Sequence, residues 1–156
     1  MDYVYPQYDI VWIALDGNNQ VGALITAGFG PIPTQLLINE DSDLYDTEAN
    51  ILNLPVVGTP RLLVAVKDPR SYLSLGKRGL YVYDWPPPRW LSSDPSLVCE
   101  HDHDYSLVTT PEAPITAEAL PQNLKDTASK VQFRDISFKD TAAINVRRRF
   151  ACVEFH

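Results

Sequence analysis

A chain of 156 residues is long enough for one domain with one core. With 45% apolar and 21% charged residues, the composition excludes disordered, collagen-like and coiled-coil architectures. Twenty acids against thirteen bases leave a net charge of −7, which argues against a general nucleic-acid binder, because such a protein needs a cationic surface to release counterions from phosphates. The excess is local: eight acids and no base precede Arg61, and the rest of the chain is close to neutral.

The first expected element is a β-hairpin. Residues 8–15 (Tyr-Asp-Ile-Val-Trp-Ile-Ala-Leu) are rich in β-branched and aromatic side chains and stop at Asp16-Gly17-Asn18-Asn19, which tolerate the positive φ of a tight turn. Strand character resumes over residues 20–27. It ends at Gly28-Phe29-Gly30-Pro31-Ile32-Pro33, where two glycines and two prolines are expected to extend no ladder.

Residues 34–38 are apolar, and five acids follow within nine residues: Glu40, Asp41, Asp43, Asp46 and Glu48. Like charges repel and prefer water, so this run reads as a solvated loop or helix face, with Thr47 and Glu48 opening a short helix that ends before Pro55. Residues 61–66 have strand composition. Asp68 and Pro69 suit a cap and a first helical position, and Gly76 or Gly79 closes that helix. Residues 79–85 predict a strand with Tyr81 and Tyr83 on one face and Leu80, Val82 and Asp84 on the other.

Pro86-Pro87-Pro88 then removes three backbone donors in a row, and residues 90–104 read as an irregular excursion. Residues 105–110 return to strand. Residues 116–130 predict a helix in their later part, with Pro121 in its first turn and Leu120, Leu124 and Ala128 at spacings of four. Residues 131–138 alternate, and two further strand-like segments, 142–146 and 150–155, are split by Arg147-Arg148-Arg149. Together these predict a single domain over residues 1–156. Its class is α+β, with a mainly antiparallel sheet of five to eight strands and one to three short helices.

Candidate chemistry is sparse. On an extended segment Cys99, His101 and His103 would project to one side, and all three are ligand types that zinc accepts, but the spacing is tight and the other histidine, His156, closes the sequence. A Cys-His nucleophile pair needs partners converging from separate elements, which sequence neighbours rarely supply. Neither a phosphate-cradling glycine loop nor a Gly-x-Ser-x-Gly elbow occurs. No catalytic set, cofactor or bound metal is therefore expected. Trp85 and Trp90 flank prolines and Arg89, a composition that suits either a contact surface or core packing. The two cysteines, Cys99 and Cys152, are expected to stay reduced. Without a signal-peptide pattern or an apolar run of about eighteen residues, a cytoplasmic, non-membrane protein is expected.

Three segments carry a resemblance: Asp9-Ile10-Val11-Trp12-Ile13-Ala14-Leu15-Asp16; residues 21–33, Val-Gly-Ala-Leu-Ile-Thr-Ala-Gly-Phe-Gly-Pro-Ile-Pro; and Arg78-Gly79-Leu80-Tyr81-Val82-Tyr83-Asp84-Trp85. Together, over about a fifth of the chain, they resemble small bacterial proteins encoded beside polymorphic toxins, which are taken to be immunity proteins. The resemblance implies a cytoplasmic inhibitor that binds a cognate toxin or effector and blocks its active site. Its motifs are structural and carry no binding residue over. Charge supplies the candidates: an acidic surface would speed encounter with a cationic cleft and occupy it in place of phosphate. The partner-binding candidates are Glu40, Asp41, Asp43, Asp46 and Glu48, then Asp102 and Asp104, with Trp90 beside them. The alternatives are a small ligand- or metal-binding module around residues 99–103 and a small enzyme without a recognisable motif.

Overall fold

The computed structural model describes residues 9–37, 43–85 and 104–153. A hairpin of β1 (Val11–Asp16) and β2 (Val21–Ile25) lies at the centre of a seven-stranded sheet. Every residue of both strands is buried. That explains their nearly unbroken apolar composition: a strand covered on both faces has no solvent side on which to place polar residues.

The strands β4 (Arg61–Leu62), β5 (Tyr81–Asp84), β6 (Tyr105–Thr110), β7 (Gln132–Phe133) and β8 (Ala143–Ile144) complete this sheet in the order β4-β6-β5-β2-β1-β7, with β8 also on β6. The α+β class and the strand number are as expected, and most pairings in the sheet are antiparallel (β1–β2, β4–β6, β5–β6 and β6–β8), but the sheet is mixed. β2 pairs β5 in parallel, Gly22 opposite Tyr81 through Ile25 opposite Asp84, and β1 pairs β7 in parallel. The cause lies between β2 and β5: the chain crosses over through α1 (Thr47–Leu52) and α2 (Arg70–Gly76), and such a crossover brings a strand back in the same direction. Together with α3 (Gln122–Ser129), these are the α-helices of the described residues.

Three local expectations differ from the structure. Of residues 61–66 only Arg61–Leu62 join the ladder, because β8 takes the next stretch of β6: Leu107 N–H donates to Ala142 O where β4 would have continued. Pro33 does extend a ladder: β3 (Ile32–Pro33) pairs β9 (Cys152–Val153) in a separate two-stranded sheet, where an edge position spares proline's missing donor. Helix α2 begins at Arg70 with Pro69 as its cap residue, and the Asp68 carboxylate accepts the Arg70 N–H at 3.2 Å.

The two faces of the sheet are chemically distinct. One is aliphatic: Val11, Ile13, Val21, Ala23, Leu80 and Val82 pack against Ile51 of α1, Leu75 of α2, and Leu124 and Ala128 of α3. The other is aromatic, with Trp12, Tyr81, Tyr83, Tyr105, Phe133 and Phe138 in one cluster. Here the Trp12 Nε1–H donates to the Tyr105 hydroxyl at 3.2 Å, and that hydroxyl donates to Pro31 O at 2.9 Å, so both amphipathic rings are buried with their polar atoms partnered. Gly22 is required by this face: a Cβ there would lie 2.8 Å from the Phe138 ring.

Candidate functional site

The start of β1 and the end of β5 meet across β2, since Val11 lies opposite Ile25 and Ile25 opposite Asp84. This register sets two carboxylates, Asp9 and Asp84, at one end of the sheet. Thr26 fixes the turn beside them: its buried hydroxyl accepts the N–H groups of Ile10 and Gly28, and Asp9 accepts the N–H of Ala27 at 2.9 Å. Ala27 has a positive φ of 50°, so this turn is held in a conformation that a Cβ disfavours. From the helical layer Tyr72 of α2 donates its hydroxyl to Asp84, and Glu48 arrives on α1.

Burial raises all three carboxyls, and the Asp9 charge adds to this at Glu48 and Asp84. Burial pushes the Asp84 carboxyl up to about 6; the Tyr72 hydroxyl and the Trp85 N–H pull against this, while the Asp9 charge adds to it. Asp9 is raised by partial burial against the pull of the Ala27 N–H, and Glu48 by partial burial and then by the Asp9 charge. Tyr72 is raised too, first by burial and then by its bond to Asp84. Among the described residues no cation forms an ion pair with Asp9, Glu48 or Asp84. Burial first, and the Asp9 charge after it, favour the neutral forms of Glu48 and Asp84.

Helix α1 turns one stripe outward. In the 3-10 turn that precedes it Leu44 is buried and Tyr45 and Asp46 are exposed; in α1 itself Thr47 and Ile51 are buried and Glu48, Ala49 and Leu52 are exposed. Tyr45 is 56% and Leu52 38% exposed. Glu48 and Leu52 form one wall of a cleft of about 300 Å³; Ser71, Ser74 and Leu75 of α2 form the other, with Asp68 and Arg70 at its mouth. Arg70 is folded back on Asp68 by two hydrogen bonds of 2.8 and 2.7 Å, which hold the Asp68 carboxyl down at about 2.

The structure places some of the sequence candidates here. Asp46 and Glu48 are exposed at the start of α1, and Asp43 opens the 3-10 turn that precedes it. Asp104 lies elsewhere, in a second cleft of about 450 Å³ that it shares with Asp135, Thr141, Asn145, Arg148 and Arg149. One Asp104 oxygen is buried there without a hydrogen-bond partner. Glu40, Asp41, Asp102 and Trp90 lie outside the described residues, as does the cluster of Cys99, His101 and His103. Trp85 is a core residue, edge-on to Tyr105 with ring centres 5.0 Å apart. The three arginines diverge: Arg147 stacks over the Trp85 ring, Arg149 pairs with Asp135 at 2.5 Å, and Arg148 is exposed.

Sequence reasoning missed Asp9, Tyr72 and Asp84 as site residues. A signal was present for Asp84: it falls in phase with Leu80 and Val82, and an acid on an apolar face is the pattern of a perturbed group. Asp9 and Tyr72 had no comparable signal, because only the parallel β2–β5 pairing brings them near Asp84. Among the described residues no three His, Cys, Asp or Glu side chains converge as a metal-binding set, and no helix is long and apolar enough to cross a membrane. The chain matches no protein-family model, and neither a curated protein nor a solved structure is significantly similar to it.

Proposed function

We propose that the protein is an immunity protein: it binds a cognate bacterial toxin or effector in the cytoplasm and occludes a cationic active-site cleft with its acidic surface. The observation that carries this reading is the set of carboxylates Asp9, Glu48 and Asp84, each raised in proton affinity by burial, Glu48 and Asp84 further by the Asp9 charge, with no ion-pair cation among the described residues. Such a surface is electrostatically unsatisfied in the free protein, and a cationic partner relieves it while being steered towards it. The resemblance of the hairpin and of the β5 segment to immunity proteins supports the same reading.

The experiment is to establish whether the adjacent reading frame encodes a toxin and to co-express the two. The wild type restores growth, and changing Glu40, Asp41, Asp43, Asp46 and Glu48 to their amides lowers the association rate by about tenfold at low ionic strength and flattens its salt dependence. An unchanged on-rate removes this surface, and failure of the wild type to restore growth removes the function. A small enzyme is the second reading, favoured by one observation: a carboxyl raised to about 6 beside a tyrosine hydroxyl, at Asp84 and Tyr72, has the proton affinity of a general acid. Asp84→Asn separates the two, because neutralisation survives it and acid catalysis does not.

A further inference from the structure

We infer that the docking surface is the outward stripe of α1 together with the cleft it shares with α2, and that its occupant is a cationic, amphipathic segment of the partner protein. This rests on the inhibitor reading and names the part of the surface that recognises the partner. Among the described residues the exposed large hydrophobic side chains all fall between Tyr45 and Val66. Single exposed apolar residues are ordinary on a protein surface, but Tyr45, in the 3-10 turn that leads into α1, and Leu52, at the end of α1, flank the exposed Glu48 and Ala49. An aromatic and an aliphatic group flanking a carboxylate are the parts from which interface anchors are made.

Charge decides the occupant. Neither Asp46 nor Glu48 forms an ion pair among the described residues, and the neighbouring Asp9 raises the cost of the Glu48 charge. Arg70 at the cleft mouth is neutralised by Asp68 and so does not repel a second cation. A lysine or arginine entering here would lay its aliphatic stem along Leu52 and Leu75 and bring its charged head to Glu48, with the hydroxyl-bearing Ser71 and Ser74 opposite. Apolar residues on either side of it would cover Tyr45 and Leu52. A second copy of this chain fits poorly, because a symmetric contact would set Asp46 and Glu48 against the same acids.

The test uses the full-length, nitrogen-15-labelled protein and the peptide N-acetyl-Leu-Arg-Leu-amide, with N-acetyl-Leu-Glu-Leu-amide as control. The arginine peptide is expected to shift the amides of Glu48, Leu52, Ser71 and Ser74 saturably. Glu48→Gln and Leu52→Ser, both exposed and compatible with the fold, each weaken that binding by about fivefold. No shift at these amides with about 10 mM peptide, equal shifts with the glutamate peptide, or binding indifferent to both variants overturns the docking surface. The immunity reading is judged separately, by growth rescue, and stands or falls without this result.

Discussion

Two aspartates at opposite ends of the central sheet show how the same side chain serves the fold at one place and the surface at another. Asp16, at the end of β1, is 4% exposed. One of its oxygens accepts the N–H groups of Asn18 and Gln20 at 2.9 Å and the other accepts the Phe138 N–H at 2.8 Å. A carboxylate with three backbone donors is stable in a buried site and ties the hairpin turn to a segment far along the chain. Asp84, at the end of β5, has the Tyr72 hydroxyl and the Trp85 N–H as donors and an acidic neighbour, Asp9, instead. The difference lies in what surrounds each carboxyl rather than in its depth alone. Where backbone donors converge, charge is a fastener; where acids converge, it is a burden that a partner can lift.

The largest effect should come from breaking the satisfied end. Asp16→Ala leaves three N–H groups without their acceptor, two of them in the turn, and is expected to cost about 2 to 4 kcal/mol, read as a lowered urea midpoint. An unchanged midpoint would mean that water replaces the carboxylate at no cost. At the burdened end the sign reverses. The Asp84 carboxyl rises from an unfolded value near 3.9 to about 6 in the fold, so the native state holds its proton more tightly. The stabilisation this gives is full below about pH 4 and lost as pH rises through 6. Asp84→Asn keeps an acceptor for Tyr72, matches the wild type near pH 4, and is expected to be more stable by about 1 to 2 kcal/mol at pH 7, after allowance for the water that still reaches the group. A variant less stable than the wild type at pH 7 would show Asp84 to be satisfied after all.

The smallest effect is expected at Asp68. Its carboxyl is held down at about 2 by Arg70, yet both partners are largely in water. Asp68→Asn should leave the urea midpoint where it is, because an exposed pair gains little over its solvated state. A measurable loss would show that the cap on the first turn of α2, rather than the ion pair, holds that helix in place.

Much of the fold was legible in the sequence because it is written in local patterns. The hairpin, β5 with its tyrosine and aliphatic faces, β6 and the later half of the 116–130 helix all follow from composition and period. Pairing partners were not legible. Nothing in residues 79–85 says that they lie parallel to residues 22–25, and although residues 131–138, 142–146 and 150–155 read as strand-like, only two residues of each enter a ladder, as β7, β8 and β9, at places set by distant neighbours. The site divides the same way. Charge density pointed to Asp46 and Glu48, while Asp9, Tyr72 and Asp84 join them only through tertiary pairing.

The bond from Phe138 to Asp16 spans 122 residues and has a consequence for the order of assembly. On the ribosome the β1–β2 hairpin emerges before β7 and can close its own turn, but β7, which pairs Leu15 and Asp16 of β1, and the donor at Phe138, 122 residues after Asp16, arrive much later. Until then β1 presents an open edge at Leu15 and Asp16, and one oxygen of the Asp16 carboxylate awaits its donor. Completion of the sheet therefore waits on β7 and Phe138, which lock what the hairpin has begun.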